Sequence, residues 1–177
     1  YIKHINKGTA TMTFKAKGDS GYVGSIKKTF KIKVADINNV IQKDMENITV
    51  EYSKSGAKPV EEIQLVNKNE IELVNGKDYT LTYKNNKNIA NKRDENAPVI
   101  IVKGKGNYGG EPLEIPFTIK KAVLHNNNIK IDVKEIAYNV TKAADYQYKP
   151  AVKIYYEGKA LSVNKDYTIE YKNYTQE

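Results

Sequence analysis

The chain has 177 residues, a formal net charge of +8, two histidines, no cysteine, no tryptophan, fourteen tyrosines and three phenylalanines. One or two small domains fit that length, and the missing cysteine excludes disulfides and thiolate metal sites. No apolar run reaches the ~18 to 20 residues that span a bilayer, and neither end has a signal-peptide pattern, so no membrane insertion is expected.

Taken in chain order, the first segment holds Gly8-Thr9-Ala10-Thr11, Lys17-Gly18, Tyr22, Gly24, Phe30 and Ile32. The run Asn38 to Met45 could make one helical turn and reads as a linker. Strand alternation, with a side-chain period of two, begins at Ile48-Thr49-Val50-Glu51-Tyr52 and continues at Ile63-Gln64-Leu65. Next, Tyr79, Leu81 and Tyr83 point one way with Thr80 and Thr82 opposite, while Val99 to Val102 reads as a strand buried on both faces. Ile115, Phe117 and Ile119 form a further half-buried strand. Turn chemistry separates these runs at Ser55-Gly56, Asn75-Gly76-Lys77-Asp78, Asn85-Asn86 and the stretch Gly104 to Gly110. A short polar linker follows at Val123 to Asn128. Six or seven strands in about 85 residues predict an all-β fold, an immunoglobulin-like two-sheet sandwich.

The chain repeats itself. Lys77 to Asn85 matches Lys165 to Asn173 at seven of nine positions, 88 residues apart. Lys17-Gly18, Tyr22, Gly24, Phe30 and Ile32 recur as Lys103-Gly104, Tyr108, Gly110, Phe117 and Ile119, and Lys58-Pro59 as Lys149-Pro150. Three blocks in one order at nearly one period predict sandwich repeats in tandem. Their phase makes residues 1 to 36 the back part of a repeat, 37 to 121 a complete one, and 122 to 177 the front part of another. Both ends are therefore expected to lie inside repeats, with the parent chain continuing beyond them. Tyr1 stands as the counterpart of Tyr83 and Tyr171, so the two partial pieces overlap only at Tyr1 to Lys7 and Tyr171 to Glu177. They add up to one repeat. Either they are truncated, or the front piece pairs with the back piece, of the same chain or another, in head-to-tail self-assembly. The charge is uneven: +6 in residues 1 to 36, from eight Lys against two acids, and +1 in each of the other segments. A nearly neutral complete repeat argues against nucleic acid as a partner.

The ordered set of a Lys-Pro strand, the Asn75 to Asn86 block, the Gly8-Thr9-Ala10-Thr11 strand, the Gly104-Lys105-Gly106-Asn107-Tyr108-Gly109-Gly110 hairpin and the closing Phe117-Thr118-Ile119 strand resembles immunoglobulin-like tandem repeats of Gram-positive bacterial cell-surface proteins. The resemblance covers the whole chain. It implies secretion or cell-surface display, a stalk or spacer role beside adhesive or wall-active modules, and no general catalytic residues. The chain departs from the pattern at Ala90 to Asn96, where a polar insertion predicts a protruding loop.

Candidate sites are few, and neither a catalytic group, a metal site nor a cofactor is expected. His4 and His125 lie near no acidic motif and have no metal-ligand spacing. Asp78 and Asp166 recur just before a tyrosine, where an Asp can bond its own turn backbone. Glycines 104, 106, 109 and 110 precede a strand, so they read as a hairpin with positive-φ positions, with Tyr22 and Tyr108 packed across the two equivalent hairpin bases. Tyr146, Tyr148, Tyr155 and Tyr156 sit among polar neighbours and are the candidates for ligand binding, by stacking a carbohydrate or cell-wall polymer; packing is the competing role. A lysine–asparagine isopeptide bond has no locatable triad in the sequence. Asn47-Ile48-Thr49, Asn139-Val140-Thr141 and Asn173-Tyr174-Thr175 match the glycosylation pattern by composition alone. The expected partners are neighbouring repeats and a host or wall glycan or protein, and the expected function is structural or adhesive.

Overall fold

The structure is a computed structural model that describes residues 6–139, 141–142 and 146–172. Tyr1, His4, Val140 and Asn173 to Glu177, on which the overlap of the partial pieces, one histidine and two acceptor patterns depend, lie outside the described residues. The chain divides into two compact units, one of residues 1–52 and 56–120 and the other of residues 53–55 and 121–177.

The chain is all-β. In the first unit, β1 (Gly8–Lys15) and β2 (Ser25–Ile32) form an antiparallel hairpin, followed by β3 (Ala35–Asp36), β4 (Ile41–Gln42), β5 (Thr49–Glu51), β6 (Leu65–Val66), β7 (Tyr79–Lys84), β8 (Val99–Gly104), β9 (Tyr108–Gly109), β10 (Leu113–Pro116) and β11 (Thr118–Lys120). The second unit holds β12 (Ile129–Val133), β13 (Val152–Tyr156) and β14 (Lys159–Ala160), in the order β12-β13-β14. Several small sheets, rather than one large one, are consistent with a β-sandwich.

The core follows the sequence periodicity. Tyr79 is buried with Thr80 and Thr82 exposed, and Ile115, Phe117 and Ile119 are buried in alternation with Pro116 and Thr118. Ile100 and Val102 have no exposed surface. The strand predicted across Ile115 to Ile119 changes partner midway. β10 runs antiparallel to β8, whereas β11 runs parallel to β5. The break falls at Pro116, which has no N–H to give to a ladder. Beyond it Phe117 donates its N–H to the Pro98 carbonyl at 2.9 Å, and Thr118 donates to that of Ile48 at 2.9 Å.

Three expectations change. The run Asn38 to Met45 opens within the expected single helical turn, a 3-10 turn at Ile37–Asn39 capped by Asp36, but is no linker: it pairs through β4 with β6 and contributes Met45 to the core that holds Ile37. Ile37 and Met45 are apolar anchors on either side of a polar run, which sequence periodicity could not reveal. Tyr108 is half-buried against the core, but Tyr22 is 80% exposed, because its hairpin has no second layer beneath it. The insertion Ala90 to Asn96 is anchored at its start rather than free, while Asn91 and Arg93 to Asn96 stay exposed. Ala90 exchanges backbone bonds with Ile119, Asp94 accepts the Asn91 N–H at 2.7 Å, and the Lys92 N–H is donated to Thr118 Oγ1 at 3.1 Å.

The strands of the two terminal segments leave apolar side chains exposed. The register of β1 and β2 places Met12, Phe14, Ile26 and Phe30 on one face and Thr9, Thr11, Thr13, Lys27 and Lys31 on the other. That apolar face is uncovered, with Phe14 55% and Ile26 64% exposed. On the apolar face of β12 and β13, Ile131 and Val133 are half exposed while Tyr156 is buried. β1 and β2 pair only with each other, and β12, β13 and β14 only among themselves.

Candidate functional site

The recurring aspartates build the same turn twice. Asp78 Oδ2 accepts the Val74 N–H at 2.9 Å, and Asp166 Oδ2 accepts the Ser162 N–H at 2.7 Å. In the first copy Asp78 N–H returns to Val74 O at 2.8 Å and Gly76 N–H reaches Tyr79 O at 2.7 Å. In the second, Asp166 N–H returns to Ser162 O at 2.8 Å and Asn164 N–H reaches Tyr167 O at 2.7 Å. Gly76 has φ +83° and Asn164 φ +64°, the left-handed position that Gly and Asn tolerate best. Both carboxylates are thus turn-builders. The Lys54 ammonium also lies 2.8 Å from Asp166 Oδ2, and its hydrogen bond, with that of Ser162, holds the Asp166 carboxyl below its usual range.

The glycine-rich stretch is a turn as expected. Gly106 has φ +63°, and Gly110 has φ +90° with Asp36 where a side chain would stand. Instead of leading to a helix it feeds β9, which runs parallel to β3. His125 is exposed and heads a turn in which its N–H is donated to Asn128 Oδ1 at 2.7 Å. Among the described residues no three His, Asp or Glu side chains gather as metal ligands would, and no helix is long and apolar enough to cross a membrane.

The candidate tyrosines separate into three situations. Tyr155 stands opposite Lys130 across β12 and β13, on the polar face of that sheet. Lys130 Nζ lies 5.7 Å from the ring centroid, within cation–π range. With Asn127, Asn128, Ile129, Glu157 and Gly158 these two line an open groove of about 660 Å³. The groove's floor is shaped by the tight turn between β13 and β14, where Glu157 (φ +49°) and Gly158 (φ +73°) give the double positive-φ geometry of a two-residue hairpin. Tyr156, next in sequence, points to the other face and is 6% exposed. Successive strand residues face opposite ways, so Tyr156 packs and cannot serve as a ligand platform.

Tyr146 and Tyr148 come together with a third ring that the sequence did not single out. Tyr148 stacks on Tyr138, with centroids 6.1 Å apart and planes at 24°, and meets Tyr146 edge-on at 4.8 Å and 83°. The Asn139 N–H is donated to the Tyr148 hydroxyl at 3.1 Å, which fixes the ring's position. Lys142 Nζ covers the outer Tyr146 ring at 4.7 Å. Tyr138 keeps 65% of its surface exposed. Tyr146 and Tyr148 are two residues apart, which made their shared face legible; Tyr138 joins them through its ring contact with Tyr148, ten residues away in sequence.

One lysine–asparagine contact bears on isopeptide chemistry. Lys92 Nζ lies 2.7 Å from Asn47 Oδ1, in a cleft lined by Asn47, Thr49, Asn91, Lys92, Arg93 and Thr118. Asn47 is exposed and none of those residues is acidic. An amine and an amide in water without a proton-transferring acid do not condense.

A scan against protein-family models, a search of curated proteins and a search of solved structures each find no match.

Proposed function

We propose that the chain is part of a serial array of immunoglobulin-like sandwich repeats from a bacterial surface protein, displayed outside the cell as a stalk or spacer and working by extension and binding rather than catalysis. The observation that carries this reading is the Asp-Tyr turn built twice, 88 residues apart, with four matching hydrogen bonds in each copy. Duplicated backbone geometry at one period is the mark of a modular array. The recurring carboxylates are consumed by that backbone, which supports an architectural use. Stretching the full chain between two handles tests it. A spacer unit yields in one discrete step releasing about 85 residues, roughly 280 to 300 Å of extended chain. Smooth extension without a step refutes the unit.

The uncovered apolar face of β1–β2 and the exposed Ile131 and Val133 of β12 favour an assembly role, in which the front piece of one copy is completed by the back piece of another. A chain that stays monomeric at every concentration in sedimentation equilibrium excludes it.

A second reading, a carbohydrate-binding module, is favoured by the exposed Tyr138–Tyr148–Tyr146 cluster and by Tyr155 in its groove. Aromatic faces beside amides and charges suit sugar rings. Saturable binding on a glycan array that Tyr155→Ala or Tyr146→Ala abolishes supports it, and binding indifferent to both substitutions removes it.

A further inference from the structure

Of the 29 basic residues in the chain only Arg93 is an arginine, and it stands in the insertion that breaks the repeat pattern. The insertion brings Asn91, Lys92 and Arg93 against Asn47, Thr49 of β5 and Thr118 of β11, around a cleft of about 300 Å³. This cleft shares no residue with the tyrosine cluster or the groove beside Tyr155.

Apart from the Thr49 hydroxyl, which donates to the Asn47 carbonyl at 3.3 Å, its internal hydrogen bonds dispose of side-chain acceptors and leave donors. Asn47 Oδ1 faces the Lys92 ammonium, which only donates, so the amide is oriented with its NH₂ group outward. Asn91 Oδ1 takes the Arg93 N–H at 3.1 Å, which again leaves an NH₂ group to donate. Thr118 Oγ1 accepts the Lys92 N–H and keeps its own O–H. Lys92 Nζ uses two of its three protons, on Glu46 O and Asn47 Oδ1. The Asp94 carboxylate beside the cleft is turned onto the Asn91 N–H. Arg93 itself is exposed and brings a planar fork of five donors. Two cations, two amide NH₂ groups and a hydroxyl, with no carboxylate in the lining, complement an oxyanion. A bare phosphate or carboxylate fills only part of such a volume, and the Thr49 and Thr118 hydroxyls suit the hydroxyl groups of whatever carries it.

We propose that this cleft binds a saccharide through an oxyanion attached to it, a phosphate or a carboxylate. The full chain is titrated by heteronuclear NMR with inorganic phosphate, glucose phosphate, glucuronate and uncharged glucose. Saturable shifts are expected at the amides of Asn91, Lys92, Arg93 and Thr118 with the charged probes and not with glucose. The tighter of the two charged sugars identifies the source of the oxyanion, and both bind more tightly than phosphate. Arg93→Gln, an exposed change that leaves the rest of the spectrum in place, weakens binding about tenfold, and Arg93→Lys falls between, because it keeps the charge without the fork. The proposal is overturned if no charged probe gives saturable shifts in the cleft, if Arg93→Gln binds as the parent does, or if the charged sugars bind no better than phosphate.

Discussion

Phe30 and Phe117 stand at matching places in the sequence blocks that recur 87 residues apart, and the structure gives them opposite environments. Phe117 has no exposed surface, whereas Phe30 is 49% exposed. Removing a fully enclosed phenyl ring loses its transfer free energy and leaves a cavity, so Phe117→Ala should cost about 3 to 5 kcal/mol. Phe30 has given up only half its surface and encloses no void. Half of the ~1.5 to 3 kcal/mol for full burial puts Phe30→Ala near 1 kcal/mol. Both residues lie in the first compact unit, and folded domains have a total stability of about 5 to 15 kcal/mol, so the first change removes a large share of it and the second little. Urea denaturation followed by tyrosine fluorescence suits a chain with fourteen tyrosines and no tryptophan. The measurement is made on dilute protein and repeated at high concentration. If a second copy covers the β1–β2 face, the cost of Phe30→Ala grows with concentration while that of Phe117→Ala does not. Equal costs for the two substitutions in dilute solution would show that the hairpin face is already buried, and the exposed-face reasoning would be wrong.

Asp78→Ala should destabilise its turn by about 1 kcal/mol and speed hydrogen exchange at the Val74 amide. Asp166→Ala should likewise speed hydrogen exchange at the Ser162 amide. Because its partners hold the folded Asp166 carboxyl below the ordinary value, its contribution is present above the unfolded value near pH 4 and lost as pH falls through the lower folded one, which an acid titration of Ser162 exchange reads. Burial, then the carboxylates of Glu72 and Asp78 for Tyr79 and Glu62 for Tyr83, raise both phenols above 10.0. Each keeps its proton folded after the unfolded chain has lost it, so stability is intact below about pH 10 and falls as pH rises through the raised folded values. The Tyr83 hydroxyl is buried with no hydrogen-bond partner among the described residues. Tyr83→Phe should therefore be neutral or stabilising at pH 7 and make the alkaline decline shallower; a loss of more than about 1 kcal/mol at pH 7 would reveal a partner for that hydroxyl.

How much was legible in the sequence follows the range of the forces involved. Strand identity and facing at Tyr79, Leu81 and Tyr83 came from a period of two, a local property of extended backbone. The role of Asp78 and Asp166 was equally local, since the carboxylate bonds an amide four residues back in its own turn. What sequence could not supply depends on distant pieces meeting. Pro116 marks a break in a ladder, but only packing decides that β11 then runs along β5. The Asn38 to Met45 run looked like a linker because its anchors, Ile37 and Met45, find their partners elsewhere in the chain. Tyr138 looked unrelated to Tyr148, ten residues away, until their rings were seen to stack. Asn47 and Lys92, 45 residues apart, form one cleft only because β5 and the insertion both border β11. By itself the sequence determined the repeat, the strands and their turns, each a matter of neighbouring residues and fixed backbone geometry. Tertiary structure alone decided which apolar faces are covered, which tyrosines share a surface and which amides point their donors into a common cleft, because those depend on long-range contacts that a linear pattern does not encode.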